Sequence, residues 1–277
     1  MSIEMTGEDR EAVLSHSRRY YARRAYYYDL VAQRTRVDKE TKRDLDFIEA
    51  AFKAHAARPV AKVLDVACGG GRHIVGLAKR GYECTGSDYS IERVEVAKAR
   101  AKREGVTLTL KQGDATKLPN GDRFDAVLAL YILFLLPSDE DIKRCLKGIR
   151  EVLSPGGVLI CNIYNPFTRS RKELMELLDR GTFVDEMEAP GIRIREVNKL
   201  EDFDPVHGVL WADEVAVVEA PDGRHVFRDR ERYRLLTFWD VKRYLEDAGF
   251  KEVVPYADWK VEQKGKPKAE QIVFVAQ

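Results

Sequence analysis

Between about residues 40 and 165, short apolar runs alternate with segments whose apolar residues recur at helical spacing. The runs predict five β-strands, at Val60–Val66, Tyr82–Ser87, Val106–Lys111, Phe124–Leu130 and Val158–Ile163. Helices are predicted between them, with ends marked by Gly81, by Gly105 and near Leu153, and Ser138 is predicted to cap the last of these helices. Mostly apolar strands that alternate with helices are typical of a parallel sheet covered on both faces. The pattern therefore predicts a doubly wound α/β fold.

The pattern changes after about residue 168. A helix is predicted over Lys172–Asp179, and three extended segments follow, at Ile192–Val197, Val209–Glu219 and Arg224–Leu235. Pro221-Asp222-Gly223 separates the last two and is a turn signal, because glycine tolerates a positive φ. These segments predict an antiparallel β insertion.

The carboxyl-terminal part of the chain returns to the first pattern. Thr237 is predicted to cap a helix that ends at Gly249, and Phe250–Tyr256 and Gln271–Val275 are predicted to complete a sheet of seven strands. We therefore expect a single integrated domain in three parts. Residues 1–40 form an N-terminal helical lid, residues 41–168 and 236–277 form the core, and residues 169–235 form a β insertion over the substrate.

Composition and charge narrow the classes of function. The 277 residues include 47 Lys and Arg against 46 Asp and Glu, a net charge of +1 that argues against an overall electrostatic attraction to nucleic acid. The longest apolar run, Ala126–Leu136, is about half the length that a membrane span needs. The first ten residues are polar, and four cysteines show no metal-ligand spacing. These features predict a cytoplasmic protein with reduced thiols, no metal site and no membrane partner.

The sequence VLDVACGGGRH, residues 63–73, carries the strongest chemical signal. A buried strand ends in Asp65, and a turn of small residues then opens a helix, where close backbone approach and free N–H groups favour a ligand. The dinucleotide fingerprint G-x-G-x-x-G would need glycine at position 74, where Ile74 stands. The segment therefore predicts a nucleotide-type ligand other than a dinucleotide.

Two further acids follow the next strands. Asp88 ends the second strand, and Asp114 ends the third. The number of residues between the loop and Asp88 is close to the spacing at which a ribose-binding acid is found in doubly wound folds. Three acids would therefore meet at the carboxyl edge of the sheet, where open α/β sheets bind ligands. So acidic an edge favours a cationic nucleoside over a pyrophosphate.

The segments VLDVACGGGRH, GSDYS, QGDATKLP, FDAVLALY and LSPGGVLI, in this order, resemble the class I S-adenosylmethionine-dependent methyltransferases, in particular their small-molecule branch. The resemblance covers residues 60–165 strongly and 237–250 moderately. It implies a Rossmann-like core that binds S-adenosyl-L-methionine. The family usually has glycine where this chain has Ala67. The Asn-Pro-Pro-Tyr signature of many amino-methylating enzymes is absent after the fourth strand.

The resemblance also implies roles for single residues. Asp65 and the turn from Ala67 through Gly69 to Gly71 would face the methionyl part of the cofactor. Asp88 would bind the ribose. Six further residues would line the adenine and the floor beside the methyl group. Tyr89 would lie against the adenine ring, Asp114 and Ala115 would bind its edge, and Ala129, Leu130 and Tyr131 would form the floor.

The N-terminal segment resembles an aromatic helix that covers the cofactor in these small-molecule enzymes. Five tyrosines lie between Tyr20 and Tyr28, and Tyr28 is a candidate cofactor contact. Aromatic faces attract a sulfonium or ammonium group. Nine Lys and Arg between Arg18 and Arg43 offer a cation for the methionine carboxylate, although a buried tyrosine face and a solvated basic face remain the alternative interpretations.

These observations favour an enzyme that methylates an N, O or C nucleophile of a small soluble molecule. An acceptor that must lose a proton needs a base, for which Tyr131 and His207 are the candidates. The insertion offers further substrate contacts at Arg195, His207, Trp211, Arg232, Tyr233 and Arg234.

Two alternative functions remain compatible with the sequence. One is an RNA methyltransferase that uses the basic N-terminal helix, and the other is a non-catalytic Rossmann-type nucleotide-binding protein. A homodimer is compatible with the sequence, in which no feature decides the oligomeric state.

Overall fold

The computed structural model describes residues 37–119, 121–168, 181–204, 208–263 and 270–277. Of the N-terminal segment it describes positions 11, 13–15, 19, 21, 22, 25–27, 29 and 31. The predicted helix Lys172–Asp179 and the candidate residues Tyr28 and His207 lie outside the described residues.

The described part of the chain contains eleven strands and five helices of two or more turns, together with the helical positions before residue 32. The strands are β1 Lys62–Asp65, β2 Glu83–Asp88, β3 Thr109–Gln112, β4 Phe124–Ala129, β5 Leu153–Tyr164, β6 Thr182–Ala189, β7 Ile192–Asp204, β8 Val209–Ala220, β9 Gly223–Arg234, β10 Val253–Ala257 and β11 Gln271–Ala276. The helices are α1 Val37–His55, α2 Arg72–Lys79, α3 Ile91–Glu104, α4 Asp139–Val152 and α5 Phe238–Asp247.

Seven strands form the central sheet, in the order β10-β11-β5-β4-β1-β2-β3. All run parallel except β11, which is antiparallel to both of its neighbours. This confirms the doubly wound, Rossmann-like fold and its seven mostly parallel strands. Because β1 to β5 run the same way, their carboxyl ends meet at one edge of the sheet.

The core lies on both faces of this sheet. Alternate residues of a strand point to opposite faces, so Val127 packs with α4 and α5, whereas Ala126 and Leu128 pack with α1 and α2. All three are fully buried. The near-continuous apolar runs that predicted the strands are the consequence of this two-sided burial.

Local signals fix several helix ends as predicted. Thr237 caps α5 in a complete capping box, in which its side chain accepts from the Asp240 N–H and the Asp240 carboxylate accepts from the Thr237 N–H. Ser138 caps α4 in a similar way, and Gly105 ends α3 with a φ of 68°. No helix among the described residues is both long and apolar enough to cross a membrane.

The insertion forms a second, antiparallel sheet in the order β6-β7-β8-β9. The sequence predicted three extended segments here, and the structure adds β6. Strand β6 was missed because it carries Asp185, Glu186 and Glu188 within eight residues, and its conformation comes from pairing along its whole length with β7.

The N-terminal segment packs against this second sheet. Tyr27 and Val31 are buried in a cluster with Ile192, Ile194 and Val218. The Tyr27 hydroxyl also donates to Asp222 Oδ2 at 3.1 Å, in the turn between β8 and β9. The described N-terminal positions and the insertion are therefore joined to each other by apolar and polar contacts.

Candidate functional site

A cavity of about 690 Å³ lies at the carboxyl edge of the central sheet. One part of its lining is the small-residue turn after β1 with Asp88 at the end of β2, and another part is formed by Tyr131 and Tyr164. Residues of the N-terminal segment and of the second sheet complete its walls, among them Tyr21, Val31, Met187 and Tyr233. The volume falls within the range of roughly 300–1,000 Å³ that is usual for ligand pockets.

Small residues are required in the turn after β1. Gly69 and Gly71 have φ of 54° and 79°, in the left-handed region that favours glycine. A Cβ on Gly71 would also lie 3.0 Å from Cβ of Ala97 in α3. The turn can therefore pack tightly against α3 while its other side remains open to the cavity.

Asp65 supplies an unsatisfied buried charge to the cavity wall. Only 2% of the residue is exposed, and its Oδ1 has no hydrogen-bond partner. Burial raises the pKa of this carboxyl to about 7, the Ala67 N–H acts against the rise, and neighbouring Asp88 adds to it. A buried acceptor atom without a partner is costly, so this oxygen fits a cationic hydrogen-bond donor on a ligand.

Asp88 is held rigidly between the first two strand ends. Its Oδ2 accepts from the Gly69 N–H at 2.9 Å, and its Oδ1 accepts from the Ser90 N–H at 3.0 Å. Tyr89 follows it in the cavity wall. Each carboxylate oxygen has further lone pairs, so Asp88 can still accept hydrogen bonds from a ligand.

Asp114 and Ala115 also line the cavity. Asp114 Oδ1 accepts from the N–H and the hydroxyl of Thr116, at 2.8 and 2.7 Å. This carboxylate therefore stabilises its own turn, and its second oxygen is 4.0 Å from Lys117 Nζ.

A hydrogen-bond network fixes the part of the cavity lining that contains Tyr131 and Gln271. Gln271 Oε1 accepts from the Tyr131 hydroxyl at 3.1 Å, from Asn162 Nδ2 at 3.1 Å and from Trp259 Nε1 at 2.7 Å. Asn162 Oδ1 in turn accepts from the Tyr131 N–H at 2.8 Å. None of Gln271, Asn162 and Trp259 was a candidate from the sequence, because nothing local in the chain signals that they converge.

This network also maintains unusual backbone conformations. Among the described residues other than glycine, only Tyr131, Asp258 and Trp259 have positive φ, at 58°, 49° and 60°. All three bond to Gln271, whose N–H donates to Asp258 Oδ1 at 2.9 Å. Such conformations are costly and cluster at functional sites, where the surrounding structure maintains them.

A buried His–Asp pair adjoins this network, and its His73 also lines the cavity. His73 Nε2 is 3.1 Å from Asp44 Oδ2, and the His73 ring stacks on Trp259 with centroids 6.2 Å apart. Burial and the nearby Arg72 lower the pKa of His73 to about 4, so the ring is neutral at pH 7. Hydrogen bonds from His73 and Arg43 outweigh burial and hold the pKa of Asp44 below its ordinary value.

The candidate residues of the insertion are dispersed. Tyr233 lines the cavity, whereas Arg234 forms an ion pair with Asp139. Arg195 is 3.1 Å from Glu186 of the neighbouring strand, and Arg232 lies over the Trp211 ring at 5.7 Å from its centroid. Of the described candidates in this set, only Tyr233 is therefore placed to touch a ligand in the cavity.

The remaining candidates of the core line the cavity together. These are Asp65, Ala67, Gly69, Asp88, Tyr89, Asp114, Ala115, Leu130 and Tyr131. Gly71 shapes the turn from behind. Tyr28 is not described, whereas Tyr21, another tyrosine of the N-terminal segment, is a lining residue. Within the described chain, no group of three or more His, Cys, Asp or Glu side chains could hold a metal ion.

Comparisons with known proteins agree on one family. The model of the "Methyltransferase domain" family matches residues 63–157. A protein of Geobacillus sp. (strain WCH70), named "Putative methyltransferase", is 25% identical over 91% of this chain and 97% of its own length. The ubiquinone biosynthesis O-methyltransferase of Azorhizobium caulinodans is 30% identical over 56% of this chain and 68% of its own length.

The fold is shared with a solved structure. The crystal structure of an S-adenosylmethionine-dependent methyltransferase from Clostridium acetobutylicum covers 91% of this chain and 97% of that protein, with a TM-score of 0.72. The two sequences are 18% identical, so this likeness concerns the fold.

Proposed function

Because the chain belongs to the class I S-adenosylmethionine-dependent methyltransferases, we propose that it transfers a methyl group to an N, O or C nucleophile of a small molecule. The observation that carries this proposal is the unsatisfied Oδ1 of Asp65, buried beside a glycine-rich turn in the wall of the cavity. S-adenosyl-L-methionine, when bound, supplies a methyl group activated by a sulfonium sulfur.

The residues at the turn suit this cofactor. Asp65 would accept a hydrogen bond from the ammonium group of the methionyl part, which pairs the buried charge. Asp88, already fixed by two backbone N–H groups, would accept from the ribose hydroxyls. Tyr89 and Ala115 would contact the adenine, with the carboxylate of Asp114 at its edge.

The part of the cavity that is lined by Tyr131 and Tyr164 would hold the methyl acceptor. Its walls carry the rings of Tyr131, Phe134, Tyr164 and Tyr233, together with the amide of Gln271. Aromatic walls with a few fixed polar groups suit a ring compound that bears hydroxyl or amino groups. The name of the Azorhizobium relative, an O-methyltransferase of ubiquinone biosynthesis, supports an acceptor of this kind.

In the proposed reaction the protein aligns the acceptor and keeps water out, which lowers the entropic cost of the displacement. Burial raises the pKa of Tyr131, so its hydroxyl remains protonated at neutral pH. We therefore assign Tyr131 to orienting the acceptor through its hydroxyl, which also donates to Gln271. An amine that arrives neutral needs no base, whereas a hydroxyl needs one, for which His207 remains the candidate.

An RNA substrate is the second proposal to weigh. The cavity is lined by described positions of the N-terminal segment and by Met187 and Tyr233 of the second sheet, in addition to residues of the core. A small molecule suits such a cavity better than a nucleotide within a folded RNA.

The test is transfer of a labelled methyl group from S-adenosyl-L-methionine. We expect the wild type and Glu95→Gln, an exposed acid on α3, to methylate members of a panel of hydroxylated and amino-bearing ring compounds, and Asp88→Ala to lose this activity. Methylation of bulk RNA with no activity on the panel would overturn the small-molecule proposal. Activity of Asp88→Ala equal to the wild type would overturn the assignment of the site.

A further inference from the structure

Three arginines line the cavity, and two of them are already paired. Arg100 forms an ion pair with Asp29, and its Nε donates to the Gly70 carbonyl at 3.0 Å. Arg72 lies 3.5 Å from Asp44, and its Nη1 donates to the Thr41 hydroxyl at 3.3 Å.

Arg93, in the first turn of α3, differs from both. Its guanidinium lies so close to Gly69 that a Cβ there would collide with it. The ring of Tyr21 lies 4.9 Å from the guanidinium carbon. The Nε of Arg93 is buried without a hydrogen-bond partner, and no carboxylate in the described chain is within ion-pairing distance.

A partly buried guanidinium without an anion is an unfavourable arrangement. Desolvating the cation costs free energy, and contact with one tyrosine ring returns only about 0.5–2 kcal/mol. A cation in this state, facing a ligand cavity, indicates that the ligand supplies a negative charge. Arginine is well suited to this role, because its planar donors match the two oxygens of a carboxylate.

The charged side chains around the turn are arranged to complement a ligand that carries one positive and one negative group. Asp65 lies before Gly69 and Arg93 lies against it, so one negative and one positive side chain flank the same turn. Both act on Cys68 between them, since burial raises the pKa of its thiol most, Asp65 adds to the rise and Arg93 opposes it. The amino-acid end of S-adenosyl-L-methionine carries one ammonium and one carboxylate, which is the complementary pair.

We propose that Arg93 binds the α-carboxylate of the cofactor, opposite the ammonium bound by Asp65, and that the ring of Tyr21 holds its guanidinium in place. This inference rests on the proposed function. It is an alternative to the expectation that a cation between Arg18 and Arg43 performs this task. Among the described positions of that stretch, the residues that line the cavity are apolar, aromatic or acidic, namely Tyr21, Ala25, Asp29, Val31 and Glu40.

The test compares two ligands that differ only by the carboxylate. S-adenosylhomocysteine and its decarboxylated analogue, S-adenosyl-3-thiopropylamine, are titrated by calorimetry into the wild type and into variants at position 93. We expect Arg93→Met to weaken binding of S-adenosylhomocysteine by about 10–100-fold, the usual value of a hydrogen bond to a charged group. Binding of the decarboxylated analogue should change by less than about threefold.

Two further variants make the result specific. Arg93→Lys keeps the charge without the planar donors and should recover part of the lost affinity. Arg103→Met removes an exposed arginine from the same helix and should leave both affinities unchanged. Thermal unfolding of each variant checks that the fold is intact.

The outcomes separate this inference from the proposed function. Equal weakening of both ligands in Arg93→Met, or no weakening of either, would overturn the role of Arg93 and leave the methyltransferase proposal standing. A wild type that binds neither ligand would overturn the proposed function, and this inference with it.

Discussion

Replacing Asp65 by asparagine is expected to stabilise the unliganded protein at about pH 8. The carboxyl is buried, one of its oxygens has no partner, and its pKa is raised from 3.8 to about 7. Asparagine has nearly the same shape, carries no charge and can still accept the hydrogen bond of the Ala67 N–H. The substitution therefore removes a buried charge that the empty cavity leaves unpaired.

The magnitude follows from the shift in pKa. Roughly three pKa units at 1.36 kcal/mol each correspond to about 4 kcal/mol of destabilisation by ionised Asp65 above pH 7. The Nδ2 of the asparagine would take the place of the unpaired oxygen and would be a buried donor without an acceptor, which costs about 1–3 kcal/mol. We expect a net gain of about 2 kcal/mol in the free energy of unfolding.

The sign of the pH dependence makes the prediction specific. Because the folded-state pKa lies above the unfolded value, the cost is absent below about pH 4, grows as the pH rises and is complete above about pH 7. The gain from Asp65→Asn should therefore shrink from about pH 8 to about pH 5. The neutral His73 gives the free energy of unfolding a pH dependence of opposite sign. Because it does so in both the wild type and the variant, this contribution cancels in the difference between them.

Urea unfolding followed by circular dichroism at the two pH values measures this difference. Asp122→Asn, at an exposed position, is the matched control and should change stability by less than about 0.5 kcal/mol. An Asp65→Asn variant that is less stable than the wild type at pH 8, or whose gain does not fall towards pH 5, would refute the reasoning from an unpaired buried carboxylate.

Three further predictions concern the site and the fold. Affinity for S-adenosylhomocysteine should fall by up to tenfold per pH unit below about pH 7, because Asp65 must be ionised to pair with the ammonium; calorimetry showing no pH dependence would contradict this. Gln271→Ala should cost about 2–4 kcal/mol of unfolding free energy in urea titrations, since three donors lose one acceptor; a loss below about 1 kcal/mol would contradict the importance of the network. Thr237→Ala should cost about 1 kcal/mol through the lost capping box with Asp240, and an unchanged unfolding midpoint would count against that cap.

The core of the fold could be predicted because its signals are local. The apolar runs of β1 to β5, the caps at Ser138 and Thr237 and the small residues after Asp65 each act within a few positions of the chain. The predicted ends of strands agree less closely with the structure. Strand β3 begins at Thr109, whereas the sequence predicted a start at Val106, because the ladder with β2 determines where pairing begins.

The proposed acceptor part of the cavity could not be predicted in the same way. Tyr131, Asn162, Trp259 and Gln271 are spread over 140 positions of the chain, and they meet because β11 inserts antiparallel beside β5. Only Tyr131 was a candidate, through the resemblance. Arg93 is an intermediate case. It is visible in the sequence as a basic residue five positions after Asp88, but the unpaired state of its Nε among the described residues is a property of the folded structure.

The central claim is that the cavity beside Asp65 and Asp88 binds S-adenosyl-L-methionine. The most direct measurement is a calorimetric titration of the wild type and Asp88→Ala with S-adenosyl-L-methionine, S-adenosylhomocysteine, NADH and ATP. The account predicts one site per chain for the two sulfur nucleosides, a large loss of both in Asp88→Ala, and no binding of NADH or ATP. Binding of NADH or ATP without either sulfur nucleoside would contradict it.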